Sequence, residues 1–343
     1  MADDGSEKKP DPPETAIELR GHIGQLEGNH DVLPVVVVPA TVDLSRVDTS
    51  IVAHITSFVG KSRELLNLAL TCKSFGWPQP ASSLNLSLVE EVACGAVCSR
   101  ATDAEMSSLP AYTSGTTTWL SILNRFEHLL DFDLFLGFGY IKHMNGVRSA
   151  VCAIGSAEWG DHDVDAVDDI CYWDYCTAVA SGYVMTSGVH CAQFNIVVMP
   201  RIGIVRPMPG LDADRYLEEE AFEFDRYCSH YYPDFLAQRS DDWGGSNIHA
   251  CEYDLSMETL TWTDWGEEEG SIRGERIRLH TRSEDMGSIS IVLNLDEGTM
   301  AVHDCAYADH KVLLKDGLSG PYCWYVNLTQ FETVAIKRGT YQT

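Results

Sequence analysis

The stretch Ser288-Ile-Ser-Ile-Val-Leu-Asn-Leu-Asp-Glu-Gly-Thr-Met-Ala-Val302 decides the fold. Ile289, Ile291, Leu293 and Leu295 alternate with Ser288, Ser290 and Asn294. Successive side chains of an extended chain point to opposite faces, so this period of two predicts a strand with one buried face. The run meets Asp296-Glu297-Gly298, and a second strand follows over residues 299–304. A three-residue hairpin connection places its glycine in the left-handed region, so Gly298 is expected at positive φ.

Similar short runs occupy residues 177–186, 190–199, 201–206, 247–254, 258–263, 322–328 and 333–337. Many short strands separated by turns predict an all-β antiparallel sandwich. Residues 211–238 interrupt the series with a helical composition and the aromatics Tyr227, Tyr231, Tyr232 and Phe235, which reads as a helical insertion between strands. Upstream, Asn145-Gly146 separates two further strand-like runs, 134–142 and 147–154, and is the strongest short hairpin signal.

The pattern turns helical before that. Ile51, Ile55, Phe58 and Val59 fall at i, i+4, i+7 and i+8, on one helix face. A second helix starts at Ser62, with Glu64 in its first turn and Leu65, Leu66, Leu68, Ala69 and Cys72 as apolar surface. It ends near Phe75-Gly76, and Pro78 and Pro80 forbid its continuation. Two helices this short cannot bury that surface between them, so the rest of the chain or a partner covers it. Further helices are predicted over residues 84–100 and 118–130, and residues 1–14 read as a polar, proline-bearing disordered segment. The fold class is thus α+β and multidomain: a tail to residue 42, a helical pair over 43–80, a mixed connector with an acidic loop over 81–170, and a sandwich over 171–341.

Charge narrows the partners. The 343 residues carry 24 Lys and Arg against 51 Asp and Glu, a formal charge of -27. That field repels phosphate backbones and anionic membrane surfaces, so neither nucleic acid nor membrane is an expected partner. No apolar leader stands near Met1, and the eleven cysteines are expected as reduced thiols in the cytoplasm or nucleus.

Catalytic signatures are absent from the sequence. It has no G-x-S-x-G elbow, H-E-x-x-H or P-loop. His190 and Cys191 are adjacent, but neighbours on a strand point to opposite faces and cannot form a nucleophile–base pair. The acidic run Asp161-His-Asp-Val-Asp-Ala-Val-Asp-Asp169 has Ala166 and Tyr172 where a calcium loop needs Gly and Glu. Cys94 with Cys98, and Cys171 with Cys176, lack partner pairs at zinc spacing. No catalytic residue, metal or cofactor is expected. Trp262 and Trp324, inside predicted strands, are read as core. Trp243 and Trp265, beside Asp241-Asp242 and Asp264 in predicted loops, are candidate surface anchors.

Two families are resembled. Ile51-Val-Ala-His-Ile-Thr-Ser-Phe-Val59 through Leu65-Leu-Asn-Leu-Ala-Leu-Thr-Cys-Lys-Ser-Phe75 is similar to an F-box. Val184-Met-Thr-Ser-Gly-Val-His-Cys-Ala-Gln-Phe194, Ile202-Gly-Ile-Val-Arg-Pro207 and Ile291-Val-Leu-Asn-Leu-Asp-Glu-Gly-Thr-Met-Ala-Val302 resemble, in order, three strand blocks of a SPRY domain. The resemblance implies a β-sandwich that holds a protein or peptide target through its loops, here by Trp243, Asp264 and Trp265. It also implies docking of an SKP-type adaptor through Ile51, Ile55, Leu65 and Leu68. Together these suggest a non-catalytic substrate receptor of a cullin-type ubiquitin ligase. The alternatives are a stand-alone SPRY module whose helices pack on its own fold, and an enzyme with an unrecognised pocket.

Overall fold

Among the described residues, fourteen strands make two seven-stranded antiparallel sheets. The computed structural model describes residues 61–71, 73–78, 85–137, 141–154, 175–217, 222–224, 229–266, 272–278, 287–304 and 311–339. All of them belong to one compact unit, Leu44–Thr343.

In chain order the strands are β1 Leu134–Leu136, β2 Ile141–Met144, β3 Val147–Ala153, β4 Cys176–Val179, β5 Val189–Val197, β6 Arg201–Val205 and β7 Ala250–Asp254. They continue as β8 Thr259–Thr263, β9 Ile272–Arg276, β10 Ser288–Asn294, β11 Thr299–Asp304, β12 Lys311–Lys315, β13 Cys323–Leu328 and β14 Thr333–Arg338. One sheet runs β1-β4-β13-β6-β7-β8-β9, the other β12-β11-β10-β5-β14-β3-β2. The hairpin that opened the sequence reading pairs Ile289 with Asp304 through Asn294 with Thr299, and Gly298 has φ 69°. Its connection has four residues, one more than expected, because Leu295 leaves the ladder. Asn145 and Gly146 both take positive φ, 50° and 74°, as a two-residue primed turn between β2 and β3 requires.

Alternation sends Ala192, Phe194, Ile196, Ile289, Ile291, Leu293, Val334 and Ile336 inward from one sheet. Ala178, Ile202, Ile204, Tyr253, Leu260, Trp324 and Val326 come from the other. The helices α1 Ser62–Thr71, α2 Lys73–Gly76, α3 Leu88–Arg100, α4 Asp103–Ser108 and α5 Trp119–Glu127 add Leu65, Phe75, Val89, Ala93, Ile122 and Phe126 to the same core. The lock between layers is polar. Arg338 on β14 donates to both carboxylate oxygens of Glu105 and to the Arg100 carbonyl, and its guanidinium lies 4.2 Å from the Phe126 ring centroid. Glu105 also closes the capping box of α4 with Thr102.

One expectation needs correction here. The sandwich does not begin at residue 171, because β1, β2 and β3 are strands of its two sheets. Among the described residues of 211–238 the helical insertion is short. They hold 3₁₀ turns at Ala213–Tyr216 and Ser229–Tyr231 and a five-residue helix, α6 Tyr232–Leu236. What they supply is aromatic surface. Tyr216, Phe222, Phe224, Tyr231, Tyr232 and Phe235 cover the outer face of the β1–β9 sheet and close a second core with Val179, Val205, Trp243, Ala250, Trp265 and Tyr325. Strands β4, β6, β7 and β13 are accordingly buried along their whole length.

Candidate functional site

The second core explains where the predicted anchors went. Trp243 and Trp265 are 1% and 0% exposed, so neither indole is a surface contact. Trp265 takes φ 54° beside the Thr263 hydroxyl, which accepts its N–H at 3.0 Å. The indole then turns under the insertion and donates Nε1–H to the Phe224 carbonyl at 3.0 Å. Burying an indole that large requires a partner for its N–H, and that bond supplies it. Of the two strand tryptophans, Trp324 is core as expected, whereas Trp262 is only half-buried.

Asp264 does lie at the surface. It lines a cleft of about 280 Å³ with Ser246, Trp262, Arg273, Lys315 and Asp316, at the end of the sandwich where β7 begins. The Lys315 ammonium sits 4.7 Å from the Trp262 ring centroid and 3.2 Å from Asp316. The Asp264 carboxylate accepts the Gly266 N–H at 3.0 Å, which fixes its rotamer. An aromatic face bordered by both signs of charge is suited to hold a peptide side chain.

The helical candidates divide. Ile51 and Ile55 lie outside the described residues. Leu65 is 0% exposed and part of the main core, so it is covered by the chain itself, and Leu68 packs partly against the same core. The helix is tied down at its start, because Ser62 donates its N–H to both oxygens of Glu127 at 3.0 and 3.1 Å and its hydroxyl to Glu127 at 2.5 Å. Among the described residues, the large apolar side chains of this segment that do face outward are Leu66, Leu70 and Trp77. His190 and Cys191 behave as strand neighbours. His190 is buried, bonded to the Tyr183 hydroxyl at 2.6 Å and the Ser187 carbonyl at 2.8 Å, and burial lowers its pKa.

Sequence reading missed a charged cluster at the far end of β7. Register places Thr177, Asn327, Arg201 and Asp254 side by side on adjacent strands of the outer face. Arg201 donates Nε–H to Asp254 at 3.0 Å, Nη1–H to Glu223 and, at 3.4 Å, to Glu252, and Nη2–H to the Tyr175 hydroxyl at 2.9 Å. One row over, Tyr325, Gly203 and Glu252 are cross-strand neighbours. A Cβ on Gly203 would stand 2.6 Å from the Tyr325 ring. Only glycine lets that ring cross the strand and bring its hydroxyl to Glu252 at 2.9 Å. Burial alone would lower the Arg201 pKa, but Glu252, Glu223, Tyr175 and Asp254 hold it raised. Burial likewise works against the Asp254 carboxylate, yet the bonds from Ser256 and Met257 and the charge of Arg201 keep its pKa lowered.

Arg201 and Asp254 form one wall of a cavity of about 700 Å³, whose lining includes Val198, Asn327 and Glu332. Glu332 accepts the Thr329 N–H at 2.7 Å, and burial pushes its pKa up to about 6. No group of metal-ligating side chains occurs among the described residues.

No family model matches the sequence, and no curated protein matches it. Among solved structures, the chain is similar to the SPRY domain of human HERC1, with 14% identity and a TM-score of 0.31 over 49% of this chain and 86% of that one. The PSpry domain of TRIM65 is similar at 9% identity and a TM-score of 0.33, over 67% of this chain and all of that one. Stonustoxin gives 10% identity and a TM-score of 0.33 over 61% of this chain and 27% of its own.

Proposed function

We propose that this protein is a non-catalytic protein-interaction module of SPRY type that holds a segment of a target protein in the Trp262–Asp264 cleft. The observation that carries the reading is the half-buried Trp262 with Lys315 over its ring and Asp264 beside it. Further support is that the three SPRY-like sequence blocks supply β5, β6 and the β10–β11 hairpin, central strands of an antiparallel sandwich. The cleft is small, so Trp262 and its charged rim would dominate the affinity. Pull-down from lysate with the protein and with Trp262→Ala, followed by titration of the captured target, tests it. Loss of at least tenfold in affinity with an unchanged melting temperature is expected. Equal binding by the variant refutes the cleft as the site.

The finer reading is a substrate receptor of a cullin-type ligase, with an SKP-type adaptor docking on α1. The face available for it is Leu66, Leu70 and Trp77 rather than Leu65. Leu66→Asp with Leu70→Asp should abolish adaptor binding and leave the fold intact, and no binding of the unmodified protein at tens of micromolar ends this reading. The second reading is a stand-alone module whose helices pack on its own fold. Burial of Leu65 and the Ser62–Glu127 bonds favour it.

A further inference from the structure

Strand β9 ends its sheet, and every residue from Ile272 to Arg276 is exposed. It pairs with β8, in a register that joins Thr263 with Ile272 and Thr259 with Arg276. Along a strand, the main-chain groups of successive residues point to alternate sides. Ile277, just past β9, donates its N–H to the Glu258 carbonyl at 2.8 Å. Alternation from there turns Arg273 and Glu275 toward β8 and the N–H and C=O of Ile272, Gly274 and Arg276 outward. Among the described residues no strand pairs with that outer side. Such a row of unpaired main-chain groups is a template for a further strand.

The side chains say which strand fits. β9 reads Ile-Arg-Gly-Glu-Arg. Laid antiparallel on a second copy of itself about Gly274, it sets Arg273 against Glu275 of the partner subunit and Glu275 against the partner's Arg273. These fall at the positions without hydrogen bonds, where opposite side chains come closest. Gly274 meets its own copy on the axis at a hydrogen-bonded position, and Ile272, 37% exposed, meets the aliphatic stem of the partner's Arg276. Sliding the axis onto Arg273 or onto Glu275 sets that charge against its own copy, so the match selects one register. Within the chain, Arg273, Glu275 and Arg276 form no ion pair with a described residue. The edge strand β12 makes the contrast: it has lysine at both ends, Lys311 and Lys315, so antiparallel pairing with a copy about its middle would oppose like charges. The formal charge of -27 repels a second copy at a distance. Screening at physiological ionic strength confines that field to about 8 Å, so the charges at the contact decide.

We infer that β9 is a self-association edge, through which two copies of this chain join as a twofold dimer that continues the β1–β9 sheet, with Arg273 and Glu275 paired across the joint. A twofold joint uses the same patch on both copies and closes on itself. The joint is short, so the dimer is weak, with a dissociation constant on the order of tens of micromolar. Arg273 also lines the Trp262 cleft, so two clefts would flank the joint, but the dimer does not depend on the cleft holding a target.

The test is sedimentation equilibrium of the full chain under reducing conditions, from about 1 to about 300 μM. A reversible monomer–dimer equilibrium is expected. Arg273→Glu and Glu275→Arg each place like charges opposite one another twice, and each should weaken the dimer about tenfold or more. The two substitutions move the net charge in opposite directions, so a general charge effect would not weaken both. Arg273→Glu combined with Glu275→Arg in one chain re-forms both pairs and should restore the dimer. The two single variants, mixed, should associate with each other more tightly than either does with itself. Both residues are exposed, so melting temperatures should stay unchanged. A monomer up to about 300 μM, a single variant that dimerises as tightly as the unmodified protein, or a double variant that stays monomeric would each overturn the assignment. The readout is mass rather than target capture, so its failure leaves the Trp262 cleft untouched.

Discussion

Replacing Arg201 by methionine keeps most of the side-chain volume and removes the charge that three buried carboxylates share. Glu223, Glu252 and Asp254 would be left facing one another, with side chains 0%, 2% and 6% exposed. Removing one partner of a buried ion pair costs about 3–5 kcal/mol, because the other charge stays behind uncompensated. Glu223, Glu252 and Asp254 all bond this guanidinium, which puts the site at the upper part of that range, a large share of the roughly 5–15 kcal/mol by which domains are stable. The loss has a pH signature. With Arg201 present the Asp254 pKa is lowered, so the stability this carboxylate contributes is present above its unfolded pKa and lost as pH falls through the folded one. Without the charge of Arg201 the effect of burial on Asp254 weighs more, its pKa rises, and the variant gains stability by taking up a proton as pH falls. Each proton bound is worth about 1.4 kcal/mol per pH unit, so one proton taken up between pH 7 and pH 5 recovers about 3 kcal/mol. Urea unfolding of both proteins at the two pH values measures the difference. A deficit of about 4–5 kcal/mol at pH 7 that shrinks to about 1–2 kcal/mol at pH 5 is expected. A deficit below about 1 kcal/mol at pH 7, or one of the same size at both pH values, refutes the account of a compensated buried cluster.

Three further outcomes are expected. Gly298→Val should lower the melting temperature: the left-handed φ of 69° alone costs about 1–2 kcal/mol, and a Cβ there would stand 2.6 Å from the Leu318 carbonyl oxygen. Equal melting temperatures would contradict the turn geometry. The Glu332 pKa is raised by burial from the usual 4.5 to about 6, so its contribution is present below pH 4.5 and lost as pH rises through 6. Glu332→Gln should then gain about 2 kcal/mol relative to the unmodified protein at pH 7 and nothing at pH 4.5, as thermal scans at the two pH values would report. Trp265→Ala should cost about 3–5 kcal/mol in urea unfolding, the loss for a large aromatic in a packed core, whereas a surface anchor would cost well under 1.

The strands were legible in the sequence because a period of two is local. Alternation from Ser288 to Leu295 placed β10, and Asn145-Gly146 placed the β2–β3 turn. Strands β9 and β12 were missed because neither carries that alternation. Residues Ile272–Arg276 are exposed throughout, so no buried face marks them as a strand. The helix α4 was legible in principle, because Thr102 followed by Glu105 is a capping-box spacing. The covering of the outer sheet face was legible only in part. Cys323-Trp-Tyr-Val-Asn-Leu328 has almost no alternation, the mark of a strand buried on both sides, and the aromatics of residues 216–235 need a surface to cover. Which surface they cover is a long-range fact, and it decided that Trp243 and Trp265 are core while Trp262 meets solvent. The Arg201 cluster and the Asn327 cavity were not legible at all. Their members are separated by up to 157 positions (Tyr175 to Glu332), and no spacing rule connects them. Composition, charge and hairpin chemistry are properties of neighbours in the chain, so the sequence by itself determined them. The Arg201 cluster is made where β6 and β7 lie side by side, the Trp262 cleft where residues of β8, β9 and β12 meet, and only the folded sheets bring these residues together.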